Sequence, residues 1–232
     1  MLSQTPRTII HKGAHKAVLE TESLYHIIDE SLIGHIAIDD HQTPLVIPML
    51  VWRVEDRIYI HGANNSRLLR RLKHGAQTCV TFTLFDGWVL ARSAFHHSAH
   101  YRSAVILGQF SQVEQASEKD RLLNHFIEQI APGRTEHVRL SSEKELAATL
   151  LLSMPLTEAS VKIGNFGVND DKEDMEKRVW AGVLPYRTVV GPLQAAPDLD
   201  VDIEVPDYSH AYGERWYDQT QSQTTEVAFC KK

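Results

Sequence analysis

The turn Gly62-Ala63-Asn64-Asn65-Ser66-Arg67 is the stretch of this chain best equipped to hold an anion. Its small residues allow close backbone approach, and the basic run that follows offers free N–H groups at its start. Ser66 and Arg67 add a hydroxyl and a guanidinium. A cation in a first helical turn opposes the helix dipole, and an anion seated between the two would relieve that. A capping serine ahead of a solvent-facing basic helix explains the same residues at least as well, so the turn does not decide the matter alone.

A second group is His96, His97 and His100, with His61 upstream. A metal site needs three or four converging ligands on rigid elements. These histidines surround an expected loop with no carboxylate or cysteine close in sequence, so no metal site is assigned. They are taken as cleft-lining or surface groups. Tyr101, Arg102 and Ser103 open a long strand candidate, and Lys162 sits in a β-like segment where a solvent-facing lysine is ordinary. Trp180-Ala181-Gly182 is compatible with simple packing.

The elements that must position these residues are mostly strands. Apolar residues at Leu24, Ile27, Ile28 and possible partner Leu32 predict a helix from Thr21 to Asp29 or Glu30. Residues 34–38 form a strand, 39–43 a hairpin turn, and 44–55 another strand. Pro48 within it argues for an edge position or a bulge, because the ladder loses a donor. Residues 57–62 return as a strand. Ser66–His74 is a short helix with Leu68, Leu69 and Leu72 inward, stopped at Gly75. Residues 78–86 and 88–95 flank Gly87, which is placed at a hairpin corner, and 101–114 is the longest strand candidate. Helices are expected over 117–132 and 141–155, the second opened by a capping box from Ser142 to Glu145. Strands over 158–164 and 179–191 enclose a solvated acidic loop, 167–177. Strands first, with helices between and after, predict a mainly β barrel with peripheral helices rather than alternating βαβ. No GxGxxG, Walker A, CxxC or HExxH pattern is present.

At 232 residues, 43% of them apolar, the chain can bury a sizeable core without disulfide or metal. A net charge of −6 argues against nucleic acid as a partner. Cys79 and Cys230 form no disulfide framework, which fits a reducing compartment. No apolar run is long enough for a membrane helix, and the N-terminus lacks the apolar core of a signal peptide. A cytoplasmic protein with no membrane partner is the expectation. Residues 1–20 are read as an N-terminal arm, 21–191 as the domain and 192–232 as an extended C-terminal tail.

Four stretches, VIPMLVWR, IYIHGANNSRLLRRL, FHHSAHYRSAVILGQ and VWAGVLPYR, occur in an order that resembles the FMN-binding split-barrel proteins. The closer likeness is to their pyridoxamine 5′-phosphate oxidase-like branch, which includes nitroimidazole-resistance reductases. The resemblance implies a six-stranded antiparallel split barrel that forms a homodimer, with FMN in clefts at the subunit interface. Val46, Ile47, Pro48, Met49 and Leu50 would then run beside the isoalloxazine ring, and His61 and Gly62 would end the next strand near the ribityl chain. Ser66 and Arg67 match the phosphate-binding serine-arginine pair of pyridoxamine phosphate oxidases, although Leu68 stands where those enzymes usually have lysine. Arg102 and Ser103 fall where those oxidases set a glutamine and its neighbour against the flavin, so Arg102 would polarise the pyrimidine end. Trp180 matches a tryptophan that reaches the flavin, and Tyr101 and Lys162 complete the candidate contacts. The signature for binding vitamin B6 is not evident after Gly108. The implied function is an FMN-dependent oxidoreductase passing electrons from a nicotinamide donor to a small organic acceptor, with no catalytic residue assigned. Two alternatives remain open: a haem-binding or haem-degrading split barrel using His61, His96, His97 or His100, and a non-catalytic FMN storage or sensing protein.

Overall fold

A computed structural model describes residues 1–200 and 202–208. Among these, eleven strands make two antiparallel sheets. The larger holds β1 (Ala17–Val18), β2 (Ile33–Asp40), β3 (Thr43–Leu50), β6 (Thr78–Leu90), β7 (Ser98–Gly108), β10 (Ala159–Gly164) and β11 (Gly182–Pro185). Its order is β1-β10-β7-β6-β2-β3, with β11 lying along the second half of β6. The smaller sheet, in the order β4-β5-β9-β8, comprises β4 (Trp52–Val54), β5 (Arg57–Ala63), β8 (Ser111–Gln112) and β9 (Thr149–Pro155). The chain passes between sheets at Val51, between β5 and β6, at Gln109-Phe110 and between β9 and β10.

Both sheets bend around one core. Ile36, Phe82 and Ile106 from the larger sheet meet Ile58, Ile60 and Leu152 from the smaller. This is the expected antiparallel split barrel with attached helices; the wall is cut into short segments where strands cross from sheet to sheet. Helix α1 (Thr21–Ser31) puts Leu24, Ile27 and Ile28 into that core. Helix α2 (Arg67–Lys73) does the same with Leu68, Leu69 and Leu72. Helix α3 (Ala116–Ile130) covers the outside of the smaller sheet, where Leu122 and Phe126 pack on Trp52, Tyr59 and Leu151. Residues of the arm lie along β10, with Thr5 and Arg7 hydrogen-bonded to Glu158.

Several expected boundaries are corrected. Gly87 is no hairpin corner: β6 runs straight through it, and the register with β7 shifts between Phe85 and Gly87. Its φ is 154°, and a Cβ there would lie 2.6 Å from the Leu184 carbonyl oxygen of β11, so only glycine admits the extra strand. The second half of the expected helix 141–155 is β9, and only α4 (Glu143–Ala148) is helical. Leu150, Leu152 and Met154 face the barrel core while Leu151 faces α3, so a strand buried on both faces reads as a continuous apolar run. The strand over 44–55 breaks at Val51, the strand over 101–114 breaks before the buried Phe110, and that over 179–191 shrinks to β11.

Candidate functional site

Strand alternation gives the larger sheet a core side and an outer side. Ile36, Val80, Phe82, Ala104, Ile106 and Val161 point inward. Their sequence neighbours therefore form the outer face: Val46, Pro48 and Leu50 on β3, His35 and Ala37 on β2, Thr81 on β6, Tyr101 and Ser103 on β7, Lys162 on β10. Val46 and Leu50 are half exposed on it, while Ile47 and Met49 turn inward onto the core. β3 is also the edge of its sheet, pairing only with β2 among the described residues. Its outer backbone groups are free to meet a ligand or a second chain, and Pro44 and Pro48 thin out the donors along it.

Arg67 and Ser66 sit beyond the hairpin end of β2 and β3, where Asp40 continues the inward parity of Ile36 and Ile38. Ser66 caps α2, its Oγ accepting from the Leu69 N–H at 3.4 Å. Arg67 pairs with Asp40, the last residue of β2, and Arg71 Nε lies 3.7 Å from the same carboxylate. Asp40 is only 8% exposed, whereas the Arg67 side chain is 72% exposed. The guanidinium is thus anchored from below and open above, as an anion-binding arginine should be. The hairpin turn beside it is made by His41 and Gln42, both with positive φ (54° and 67°), a two-residue turn that fits the twist of β2 and β3.

Three expected flavin contacts point elsewhere. Arg102 shares the parity of Ala104 and Ile106, so it faces the core side, away from Tyr101 and Ser103. Its guanidinium donates to Asp86 at 2.7 and 2.9 Å and to both carboxylate oxygens of Glu30 on α1. Burial alone would lower its pKa, but the bonds from Asp86 and Glu30 outweigh that and raise it. Its donors are committed to joining α1 to β6 and β7. His61 faces α3, with ring centroids 5.6 Å from Trp52 and 5.7 Å from Phe126. Burial lowers its pKa, and its Nδ1 has no hydrogen-bond partner among the described residues. Gly62 serves packing: a Cβ there would meet Leu69 Cδ1 at 2.8 Å, so its bareness lets α2 close onto β5.

Tyr101, Ser103 and Lys162 gather at the far side of the same sheet, and Trp180 precedes β11. Lys162 pairs with Ser103 in register, and its Nζ donates to the Lys12 carbonyl at 2.9 Å. Lys16 Nζ stands 5.5 Å from the Tyr101 ring centroid. Trp180 is 67% exposed and folds back over Gly182, leaving an indole face to solvent. Beside Tyr101 opens a cavity of about 490 Å³, lined by His15, Lys16, Phe95, His96, His97 and Phe166 among others. Roughly 300–1,000 Å³ is the usual range for a cofactor or small-molecule pocket. His97 Nδ1 bonds the Ser93 carbonyl at 2.8 Å, and His100 Nε2 bonds the Phe166 carbonyl at 2.8 Å.

His15, Phe166 and the acidic partners of His96 lie outside the residues expected from the sequence. Asp171 lies 3.0 Å from His96 Nε2 and raises its pKa, and Asp174 comes close to both. These contacts cross 75 residues of chain, and no local pattern announces them. A histidine beside Lys16 in the basic arm was the only signal, and it is shared by any surface arm.

Residues 20–163 match the family described as pyridoxamine 5′-phosphate oxidase. The flavocytochrome Anf3 from Azotobacter vinelandii is 32% identical over 88% of this chain and 94% of its own, with a TM-score of 0.83. An FAD- and haem-binding protein from Mycobacterium smegmatis is 35% identical over 82% of this chain and 94% of its own, with a TM-score of 0.79. A protein from Bacteroides thetaiotaomicron assigned to 5-nitroimidazole antibiotic resistance shares the fold at 20% identity over 63% of this chain and 86% of its own, with a TM-score of 0.52. No curated protein matches the chain. Among the described residues no helix is long and apolar enough to cross a membrane.

Proposed function

Because the chain belongs to the pyridoxamine 5′-phosphate oxidase family, we propose that it is a flavin-dependent oxidoreductase that moves electrons from a nicotinamide donor to a small acceptor. The observation that carries this is the outer face of the larger sheet. It is apolar along Val46, Pro48 and Leu50 and carries Tyr101, Ser103 and Lys162 at its other end, while the exposed Arg67 stands at the hairpin end of β2 and β3. A flat ring suits the apolar edge, and a phosphate suits Arg67. When bound, the flavin supplies the redox chemistry, which is why no acid–base triad is needed.

The two ends of this face are four strand spacings apart, about 19 Å, too far for one ring to touch both. A second copy placing its own β7–β10 end over β3 would complete each site. This supports a homodimer, and the exposed Ile33, Val46 and Leu50 give it an apolar surface to bury. The expected FMN and the FAD of the mycobacterial relative share ring, ribityl chain and first phosphate, so one arrangement serves either. FAD is the form that this relative supports.

A second reading is favoured by the histidine-lined cavity together with the two relatives that carry haem or cytochrome in their names. On this reading the protein is a flavocytochrome, whose haem adds one-electron chemistry to that of the flavin. The test is Leu50→Glu, which places a charge on the apolar edge without touching the core. Flavin retention after gel filtration should fall sharply with the circular dichroism spectrum unchanged. Full retention would remove β3 from the site.

A further inference from the structure

We propose that His96, Asp171 and Asp174 bind a divalent transition-metal ion of the zinc class. The site is hidden in the sequence because Asp171 comes 75 residues after the histidine. Each of the three side chains offers one donor atom, and these atoms all lie within 4.8 Å of one another. Among the described residues no other group of three histidines, cysteines or carboxylates converges in this way, so His15, His97 and His100 belong to no such set. The carboxylates that local sequence does not supply to the histidine group are brought to it by the fold.

Two single turns of 3₁₀ helix present the donors. Ala94–His96 carries the histidine between β6 and β7. Lys172–Asp174 lies between β10 and β11 with Asp171 at its start, and side chains three apart in such a turn fall on one side. The Asp171 carboxylate makes no capping bond to its own turn and is directed at His96 Nε2, 3.0 Å away. Asp170 pins the segment from beneath: its side chain is fully buried and accepts from the Arg92 N–H and Nη1, both at 2.8 Å. The side chains of His96 and Asp174 are 19% and 15% exposed and so held in place, while Asp171, at 75%, can close over an ion. Zinc bonds nitrogen and carboxylate oxygen at about 2.0–2.2 Å, which sets tetrahedral donors about 3.3–3.5 Å apart, so side-chain rotation rather than backbone movement has to close the remaining gaps. An imidazole among the donors selects zinc, nickel or cobalt over magnesium and calcium, which prefer oxygen alone. One neutral imidazole and two carboxylates balance a divalent charge, and the fourth position of a tetrahedral ion is left for water. Lys177 Nζ, 2.5 Å from Asp174 Oδ1, is a competing cation, but its half-exposed side chain can withdraw into solvent.

The test is calorimetric titration of the untagged full-length protein, first stripped with a chelator, with zinc, cobalt, magnesium and calcium chlorides. Wild type, His96→Ala, Asp174→Asn, His97→Ala and Lys177→Ala are compared, with circular dichroism as the folding control. Wild type should take up one zinc per chain, give visible cobalt bands, and bind magnesium and calcium far more weakly. His96→Ala and Asp174→Asn should each weaken zinc binding by roughly tenfold or more, the least that even an outer partner of a metal ligand contributes. His97→Ala should bind as wild type does, and Lys177→Ala more tightly. Zinc should also slow tryptic cleavage after Lys172 and Lys177 in wild type but not in His96→Ala. Zinc held equally well by wild type, His96→Ala and Asp174→Asn would mark adventitious binding by surface histidines and overturn the site. A wild-type protein that takes up no zinc would overturn it too, and calcium or magnesium bound as tightly as zinc would overturn the class of ion.

Discussion

Substituting Arg102 by methionine separates two roles that one strand position could have. Methionine keeps much of the aliphatic volume and removes the guanidinium. Arg102 is 12% exposed in its side chain, and its partners Glu30 and Asp86 are 17% and 31% exposed, so the variant leaves two poorly solvated carboxylates facing each other. Removing one partner of a fully buried pair costs roughly 3–5 kcal/mol. Partial solvent access here brings that down to about 2–4 kcal/mol, which for a chain of this length lowers the melting temperature by roughly 5–12 °C. Urea titration and thermal melting read the loss. Flavin affinity, measured by fluorescence quenching below the melting range, should stay within about twofold of wild type, because Arg102 faces the core side of β7. A variant with wild-type stability and much weaker flavin binding would refute this placement and restore Arg102 to the ring.

Other perturbations test the remaining contacts. Arg67→Ala should weaken flavin binding by about 2–3 kcal/mol, the worth of hydrogen bonds to a charged phosphate, and equilibrium titration with FMN and FAD measures it; an unchanged affinity moves the phosphate elsewhere. Gly62→Ala should cost about 1–3 kcal/mol by pushing Leu69 off β5, and in the double variant with Leu69→Ala the two losses should add to less than their sum in denaturant titrations. His61 has its pKa lowered from 6.5 by burial, so the unfolded chain takes up a proton that the folded one resists. The stability this gives is complete above about pH 6.5 and declines as pH falls through that value toward the folded pKa. His61→Phe should flatten the decline, and a stability–pH profile identical to wild type would show that His61 is not buried as described.

Much of the fold was legible because short-range rules agree with the tertiary outcome. Pro48 marked an edge position or a bulge, and among the described residues β3 is the edge of its sheet. Ser66 and the Ser142–Glu145 pair were readable as caps, and both make the predicted bonds. β9 was not legible, because its two faces are buried against different layers and the alternation that identifies a strand vanishes. Gly87 looked like a corner because a glycine between apolar runs has the same appearance whether the chain turns or admits a neighbour. Its neighbour, β11, lies almost a hundred residues on.

The site divides along the same line. Arg67 at its turn, and the residues of β3, needed only local sequence and the family likeness. The direction of Arg102 was in fact written in the parity of Ala104 and Ile106, which are fully buried, but its carboxylate partners come from α1 and β6. The histidine cavity needed the fold itself, since His15, His97 and Phe166 meet only when the arm, the start of β7 and the segment after β10 are brought together.

The most direct measurement of the central claim is the visible spectrum of the full-length protein after incubation with FMN, FAD and haemin and removal of excess by gel filtration. Retained flavin bands at one flavin per chain, bleached on anaerobic addition of a nicotinamide donor, are the predicted result. A protein that retains no flavin would contradict the account. One that retains flavin but is never reduced by a nicotinamide would contradict the oxidoreductase function and favour storage or sensing.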